Sequence, residues 1–278
     1  MFEKRTLLIA TQHEKEKVIA PILEKELGVK CVVPPNLDTD KLGTFSGEIE
    51  REDDPITTAR KKCNLAMDFF ECDIAVASEG SFGAHPTLFF VPVNEELLIL
   101  LDRKNDLEIM VRTLSTDTNF NGAAIKSIQE LSDFATASLF PSHGLILRKH
   151  KADFSEVKKG ITNWETLLGA FEHFISTNGQ AYVETDMRAM YNPTRMKVIE
   201  KAAQKLVQKI NSYCPQCSTP GFGVTSAKQG LPCEICNFPT SSTLTYSYTC
   251  QKCCFCKEEK YPNGKTKEEA MYCDRCNP

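Results

Sequence analysis

Residues 180–200 read "QAYVETDMRAMYNPTRMKVIE", and the chain changes periodicity twice within them. "QAYVE" (180–184) has the apolar and β-branched character of a short strand. "TDMRAMY" (185–191) is polar and irregular. Asn192 is a good helix cap, and Pro193 suits the first helical turn because its missing N–H would have no partner there. From that point Met196, Ile199, Ala203, Leu206 and Ile210 recur on one helical face. Strand, polar loop and amphipathic helix in this order belong to an α/β architecture. The loop also gathers charge, with Glu184, Asp186, Arg188 and Arg195 falling around it.

The same alternation runs outward to the N-terminus. "TLLIA" (6–10) reads as a strand, and residues 14–27 carry Val18, Ile19, Ile22, Leu23 and Leu27 on one stripe. "KCVVP" (30–34) is a second strand, followed by a polar loop, "NLDTDKLGTFSGEIERED". Asp54 and Pro55 then open a helix with Ile56, Ala59, Cys63, Met67 and Phe70 on one face. "DIAVA" (73–77) is a third strand. "TLFFVPV" (87–93), "LLILLD" (97–102) and "LEIMVRT" (107–113) read as consecutive antiparallel strands. A helix over 121–138, the strand "GLILR" (144–148) and a helix over 162–175 complete the pattern. The expectation is one mixed-sheet α/β domain over 1–212.

Residues 213–278 have a different character. Ten of the 13 cysteines lie there. Eight form Cys-x-x-Cys pairs: Cys214/Cys217, Cys233/Cys236, Cys250/Cys253 and Cys273/Cys276. This spacing lets two thiolates grip one ion, and eight ligands suffice for two tetrahedral sites. Four-thiolate sites of this kind point to zinc rather than iron–sulfur. Sequential, nested and crossed pairings all fit the spacing, and Cys254 and Cys256 are left over. A stretch this short and poor in large apolar residues needs the metal to fold. The expectation is a small zinc-ribbon-like module with two structural zinc ions.

Composition narrows the function classes. The chain is 41% hydrophobic and 25% charged, with a net charge of −4. No global positive excess points to nucleic acid or an anionic membrane. No apolar run approaches the ~20 residues of a membrane span. The opening residues lack a signal-peptide pattern, and the cysteine usage suits a reducing compartment, so a cytoplasmic location is expected.

Ligands of open α/β sheets sit beyond the carboxyl ends of strands. Three polar clusters are expected there: "TQHEKEK" (11–17), "SEGSFGAHP" (78–86) and "TDMRAMYNP" (185–193). If they meet, Glu79, Glu184 and Asp186 could hold a hard cation through oxygen and polarise a water. His13, Lys15, Arg188 and Arg195 could bind phosphate or carboxylate groups. Structural readings stand beside this one: Glu184 and Arg188 as an ion pair, and Asp186 as a stabiliser of the turn. No Walker loop, Rossmann fingerprint or nucleophile elbow is present.

"SEGSFGAHP", "FPSHGLILR", "ETDMRAMYNPTRM", "GLPCEIC" and "YCDRCNP", with "LGTFSGEIER", resemble an uncharacterised, mostly bacterial domain-of-unknown-function family carrying TDMRA and Cys-x-x-Cys motifs. Met190 stands where those relatives have histidine. The first hundred residues are similar, more distantly, to inosine/xanthosine triphosphate pyrophosphatases. In that resemblance Thr11 and His13 occupy the Thr and Asn of the turn after the first strand. "TARKKCNLA" matches the following helix, and Glu79-Gly80 matches the acidic motif that helps hold magnesium. His13 for Asn and one Glu for paired acids are departures.

The expected function is a magnesium-dependent phosphohydrolase acting on a nucleotide-like, phosphate-containing small molecule, with a structural zinc module. The alternative is a non-enzymatic binding or adaptor protein that uses the zinc module to dock a protein.

Overall fold

The computed structural model describes residues 1–35, 37 and 53–278. The expected polar loop, save Leu37 and Asp53, lies outside the described residues, and so does the "GTFSGEIER" stretch within it. The chain divides into two compact units between Val207 and Gln208.

The first unit contains a mixed sheet. Its strands are β1 (Thr6–Ala10), β2 (Lys30–Val32), β3 (Ile74–Ala84), β4 (Pro92–Asp102) and β5 (Leu107–Ser115), in the order β2-β1-β3-β4-β5. β1 runs parallel to β2 and β3, whereas β3, β4 and β5 pair antiparallel. Helix α1 (Glu16–Leu27) buries Ile19, Leu23 and Leu27 and stops at Gly28, whose φ of 66° is the left-handed conformation that glycine adopts without strain. Helix α2 (Pro55–Phe69) starts at Asp54, whose carboxylate accepts the Ile56 and Thr57 backbone N–H groups. Ala59, Cys63, Ala66 and Met67 of α2 form one buried cluster with Ala75 and Ala77 of β3 and Leu97 and Ile99 of β4.

Two strand readings change here. The strand expected at 73–77 does not end at Ser78. It continues through "SEGSFGA", with Ile74 opposite Asp102 at one end and Ala84 opposite Pro92 at the other. "TLFF" is then the hairpin turn. The His85 ring accepts the Thr87 and Leu88 backbone N–H groups at 3.1 Å, and the His85 N–H bonds Val91 O at 2.8 Å. Those local bonds outweigh the strand preference of the aromatic residues and leave Phe89 and Phe90 78% and 85% exposed.

A second sheet follows in the same unit instead of an extension of the first. Its strands are β6 (Gly122–Ile125), β7 (Leu145–Arg148), β8 (Val157–Ile161) and β9 (Ala181–Thr185), all antiparallel in the order β6-β9-β7-β8. The helix expected over 121–138 is strand β6 followed by α3 (Ile128–Ala137), which begins where Ser127 caps the Glu130 N–H. β8 has no counterpart in the sequence reading; "VKKGI" shows no clean alternation. Leu145, Leu147, Ala181 and Val183 point to one face, where they pack with Leu131 and Phe134 of α3 and with Leu167, Phe171 and Phe174 of α4 (Trp164–Asn178). By the period of two along a strand, Ile146, Arg148, Tyr182 and Glu184 occupy the opposite face. Helix α5 (Pro193–Ile210) begins at the Asn192-Pro193 pair.

The second unit, Gln208–Pro278, is built on a three-stranded antiparallel sheet of β10 (Val224–Gln229), β11 (Thr243–Thr249) and β12 (Cys256–Lys260). Among the described residues no helix is long and apolar enough to cross a membrane.

Candidate functional site

The eight paired cysteines form two groups: Cys214, Cys217, Cys250 and Cys253, and Cys233, Cys236, Cys273 and Cys276. The first Cys-x-x-Cys pair therefore joins the third, and the second joins the fourth, which is the crossed arrangement. Sulfur separations of 3.7 Å (Cys214–Cys253), 3.6 Å (Cys217–Cys250), 3.9 Å (Cys233–Cys276) and 3.6 Å (Cys236–Cys273) are far too long for disulfides. A tetrahedron with zinc–sulfur bonds of ~2.3 Å has edges of about 3.8 Å, so the spacing fits a tetrahedral ion.

The turns that deliver the thiols are alike. The N–H of the residue after each second cysteine bonds the carbonyl of the first: Ser218 to Cys214, Asn237 to Cys233, Cys254 to Cys250 and Asn277 to Cys273. Ser218, Asn237 and Cys254 hold φ of 57°, 57° and 56°. Cys254 is thus the turn residue of its knuckle and lies in neither ligand group; nor does Cys256.

The thiols within each group oppose one another electrostatically. The Thr219 hydroxyl and backbone N–H hold Cys217 down at about 6. Cys253 is pushed up to about 12: a backbone bond from Phe255 favours its thiolate, but burial and the sulfurs of Cys217, Cys214 and Cys250 outweigh it. Four thiolates at these distances need a cation between them.

Part of the polar set of the α/β unit gathers where the end of β1, β3 and the β9–α5 loop come together. Arg195, in the first turn of α5, is 1% exposed. Its Nε donates to Glu96 Oε1 at 2.7 Å and its Nη1 to the Met187 carbonyl at 2.5 Å. Glu96 sits opposite Gly80 in the β3–β4 ladder. A Cβ on Gly80 would collide with the Arg195 guanidinium and lie 2.7 Å from Glu96 Oε1. Gly80 is therefore the gap through which the ion pair passes. Arg195, expected to hold phosphate, is instead consumed by this buried pair.

Asp186 is also fully engaged. Its Oδ1 accepts the Arg188 backbone N–H and Nε, each at 3.0 Å, and its Oδ2 accepts Arg188 Nη2 at 2.6 Å and the Gly160 N–H at 3.1 Å. These bonds occupy the ~four lone-pair sites of a carboxylate, on a residue with no exposure. The geometry is that of a turn residue that fixes Arg188. Glu184 pairs with Arg148 rather than Arg188. Glu79 pairs with Lys62 of α2 at 2.6 Å. Glu79 lies on the α2 face of β3, whereas its neighbour Gly80 faces Arg195, so alternation places Glu79 and Asp186 on different sides of the sheet. Among the described residues the only groups of three or more metal-ligating side chains within 4.8 Å are the two cysteine groups. Glu79, Glu184 and Asp186 are not brought together.

The basic members do converge. Lys15 is buried at the start of α1 and donates to the Ser78 hydroxyl at 2.9 Å. Burial, and then the Arg195 charge, lower it to about 7. His13, with φ of 65°, is driven down to about 4 by burial and by the nearby charges of Lys15, Arg188 and Arg195. Thr11 directly follows β1 and donates to the Gln12 carbonyl at 3.1 Å.

A family model described as "Domain of unknown function (DUF6671)" matches residues 62–278. The chain belongs to this family. The DUF6671 match takes in both cysteine groups, Glu79, Glu184, Asp186, Arg188 and Arg195, and leaves Thr11, His13 and Lys15 outside it. No curated protein matches the chain. Within the DUF6671 region the sequence reading missed Lys62, Glu96 and Arg148. Arg148 carried a usable signal, because in "LILR" it falls on the face opposite Leu145 and Leu147. Glu96 carried none, because its partner lies 99 residues away.

Proposed function

We propose that the chain is a two-part protein: an α/β unit that binds a phosphate-bearing small molecule, and a C-terminal unit held together by two structural zinc ions. The observation that carries the ligand reading is the meeting of two segments: His13 and Lys15, between β1 and α1, lie near enough to Arg188 and Arg195, after β9, for those charges to lower His13 and for Arg195 to lower Lys15. Arg195 serves as the pin of this cluster, and Arg188, held by Asp186 and still 22% exposed, is its ligand-facing member. The resemblance of the first hundred residues to inosine/xanthosine triphosphate pyrophosphatases points the same way.

Hydrolysis through magnesium has less support than binding. Glu79, Glu184 and Asp186 each lie on a different cation, and a hard ion needs its oxygens within ~2–3 Å of one point. For the zinc reading the sulfur tetrahedra are the support. When bound, the metal would neutralise the thiolates and supply folding free energy.

The test is a panel of nucleotides and pyrophosphate with magnesium, read by calorimetric binding and by phosphate release, on protein with measured zinc content. Saturable binding without turnover supports the binding reading. Turnover abolished in Glu79→Gln would restore the hydrolase. Neither binding nor turnover would leave the zinc module as the chain's only functional feature.

A further inference from the structure

The phosphate reading does not say where a ligand would sit, and the expected phosphate residue Arg195 is closed off. A different arginine is suitably placed. Arg148 ends β7 on the face turned away from α3 and α4, and it is 5% exposed. Among the described residues only its Nη2 has a hydrogen-bond partner, Glu184. Its Nε and Nη1 are buried without a hydrogen-bond partner among the described residues. Guanidinium N–H groups left in this state are costly, and an anion relieves that cost. The group is also fixed in orientation, lying 4.7 Å over the Phe154 ring and 5.8 Å over the Tyr182 ring.

Arg148 lines a cleft of about 90 Å³ together with Arg188, Glu184, Ile146, Phe82 and Phe120. A single water needs only ~10–15 Å³ of such space, so the cleft has room for a group of several heavy atoms. Arg188 also lines it, fixed by Asp186. Phe82 and Phe120 stack with ring centroids 5.5 Å apart and form an apolar wall. Beyond Phe120 and Glu184 a groove of about 480 Å³ continues past Tyr182, Phe89 and Phe90. An anion-sized pocket lined by two arginines thus adjoins an aromatic trough.

We propose that this cleft is the ligand site of the α/β unit, and that it takes a phosphomonoester with a flat apolar body. The phosphate lies between Arg148 and Arg188, and the body lies along Phe120 toward Phe89 and Phe90. This rests on the phosphate-binding reading above and gives it a place and a ligand shape.

The experiment uses the full chain with its zinc and two probes, inorganic phosphate and phenyl phosphate, titrated by calorimetry. Phenyl phosphate is expected to bind about tenfold or more tighter than phosphate, through stacking on the aromatic wall. Arg148→Met is expected to weaken both probes by about tenfold or more. Phe89→Ala, at an exposed position where folding is not at risk, is expected to weaken phenyl phosphate alone. Equal affinity for the two probes, unchanged by Phe89→Ala, overturns the apolar body. Phosphate binding unaltered in a folded Arg148→Met protein overturns the site while leaving the phosphate reading intact. Absence of binding by either probe to wild-type protein overturns both.

Discussion

Arg195 and Glu96 stand 99 residues apart in sequence and form a 2.7 Å ion pair in which neither side chain has any exposure. This pair ties the start of α5 to the middle of β4, and Gly80 gives it room. Removing one partner leaves the other charge buried and unpaired. Arg195→Met or Glu96→Leu alone is expected to cost about 3–5 kcal/mol in urea unfolding of the α/β unit. The double variant Glu96→Leu/Arg195→Met is expected to recover a large part of that loss. Gly80→Ala is expected to destabilise too, by displacing the same pair.

Lys15 gives the α/β unit a distinctive dependence on pH. Its ammonium is lowered to about 7 in the folded protein, chiefly by burial, and titrates near 10.5 when unfolded. Between those values the unfolded chain holds the proton and the folded chain does not. Stability therefore rises with pH across this window, by up to about 1.4 kcal/mol per unit, and the Lys15 contribution is least favourable below pH 7. Lys15→Met is expected to raise the melting temperature at pH 6.5 and to lose that advantage progressively by pH 9. A gain independent of pH would show that Lys15 is not buried as an amine.

Zinc content separates ligand from bystander cysteines. Cys236→Ser is expected to lower bound zinc from two ions to one, because its group has no fifth thiol. Cys254→Ser and Cys256→Ser are expected to retain both ions. Cys254 holds a left-handed turn position, so Cys254→Gly is expected to stabilise the module by a few tenths of a kcal/mol or more. Chelation is expected to unfold the C-terminal unit.

Asp186→Ala separates a turn residue from a catalytic one. The carboxylate accepts four hydrogen bonds and has no exposure, so its removal is expected to cost roughly 3 kcal/mol and to release Arg188. Denaturant midpoints check the cost, and weakened phosphate binding checks the release. A variant of full stability that had lost only turnover would make Asp186 catalytic after all.

Much of this was legible in the sequence where the signal is local. The Asn192-Pro193 start of α5, the Asp54 cap of α2 and the Cys-x-x-Cys knuckles depend on neighbours a few residues away, and they stand as read. The metal pairing was not legible, because spacing is blind to which knuckles meet. "SEGSFGA" reads as a loop by composition, yet its glycine at position 80 answers to Glu96 and Arg195, which only the fold brings near. "TLFFVPV" reads as a strand by propensity, yet two hydrogen bonds to the His85 ring make "TLFF" a turn, and only Pro92 and Val93 join β4. The site suffered the same loss. Sequence proximity pairs Glu184 with Arg188 or a metal, whereas the adjacent strand supplies Arg148.

The most direct test is titration calorimetry of pyrophosphate into the zinc-loaded full chain, wild type beside Arg188→Gln. Saturable binding at one site per chain, lost or weakened by about tenfold in the variant while both zinc ions remain, is the outcome that the converging basic residues require. No saturable binding to wild-type protein, or identical binding to both, would contradict a phosphate site in the α/β unit.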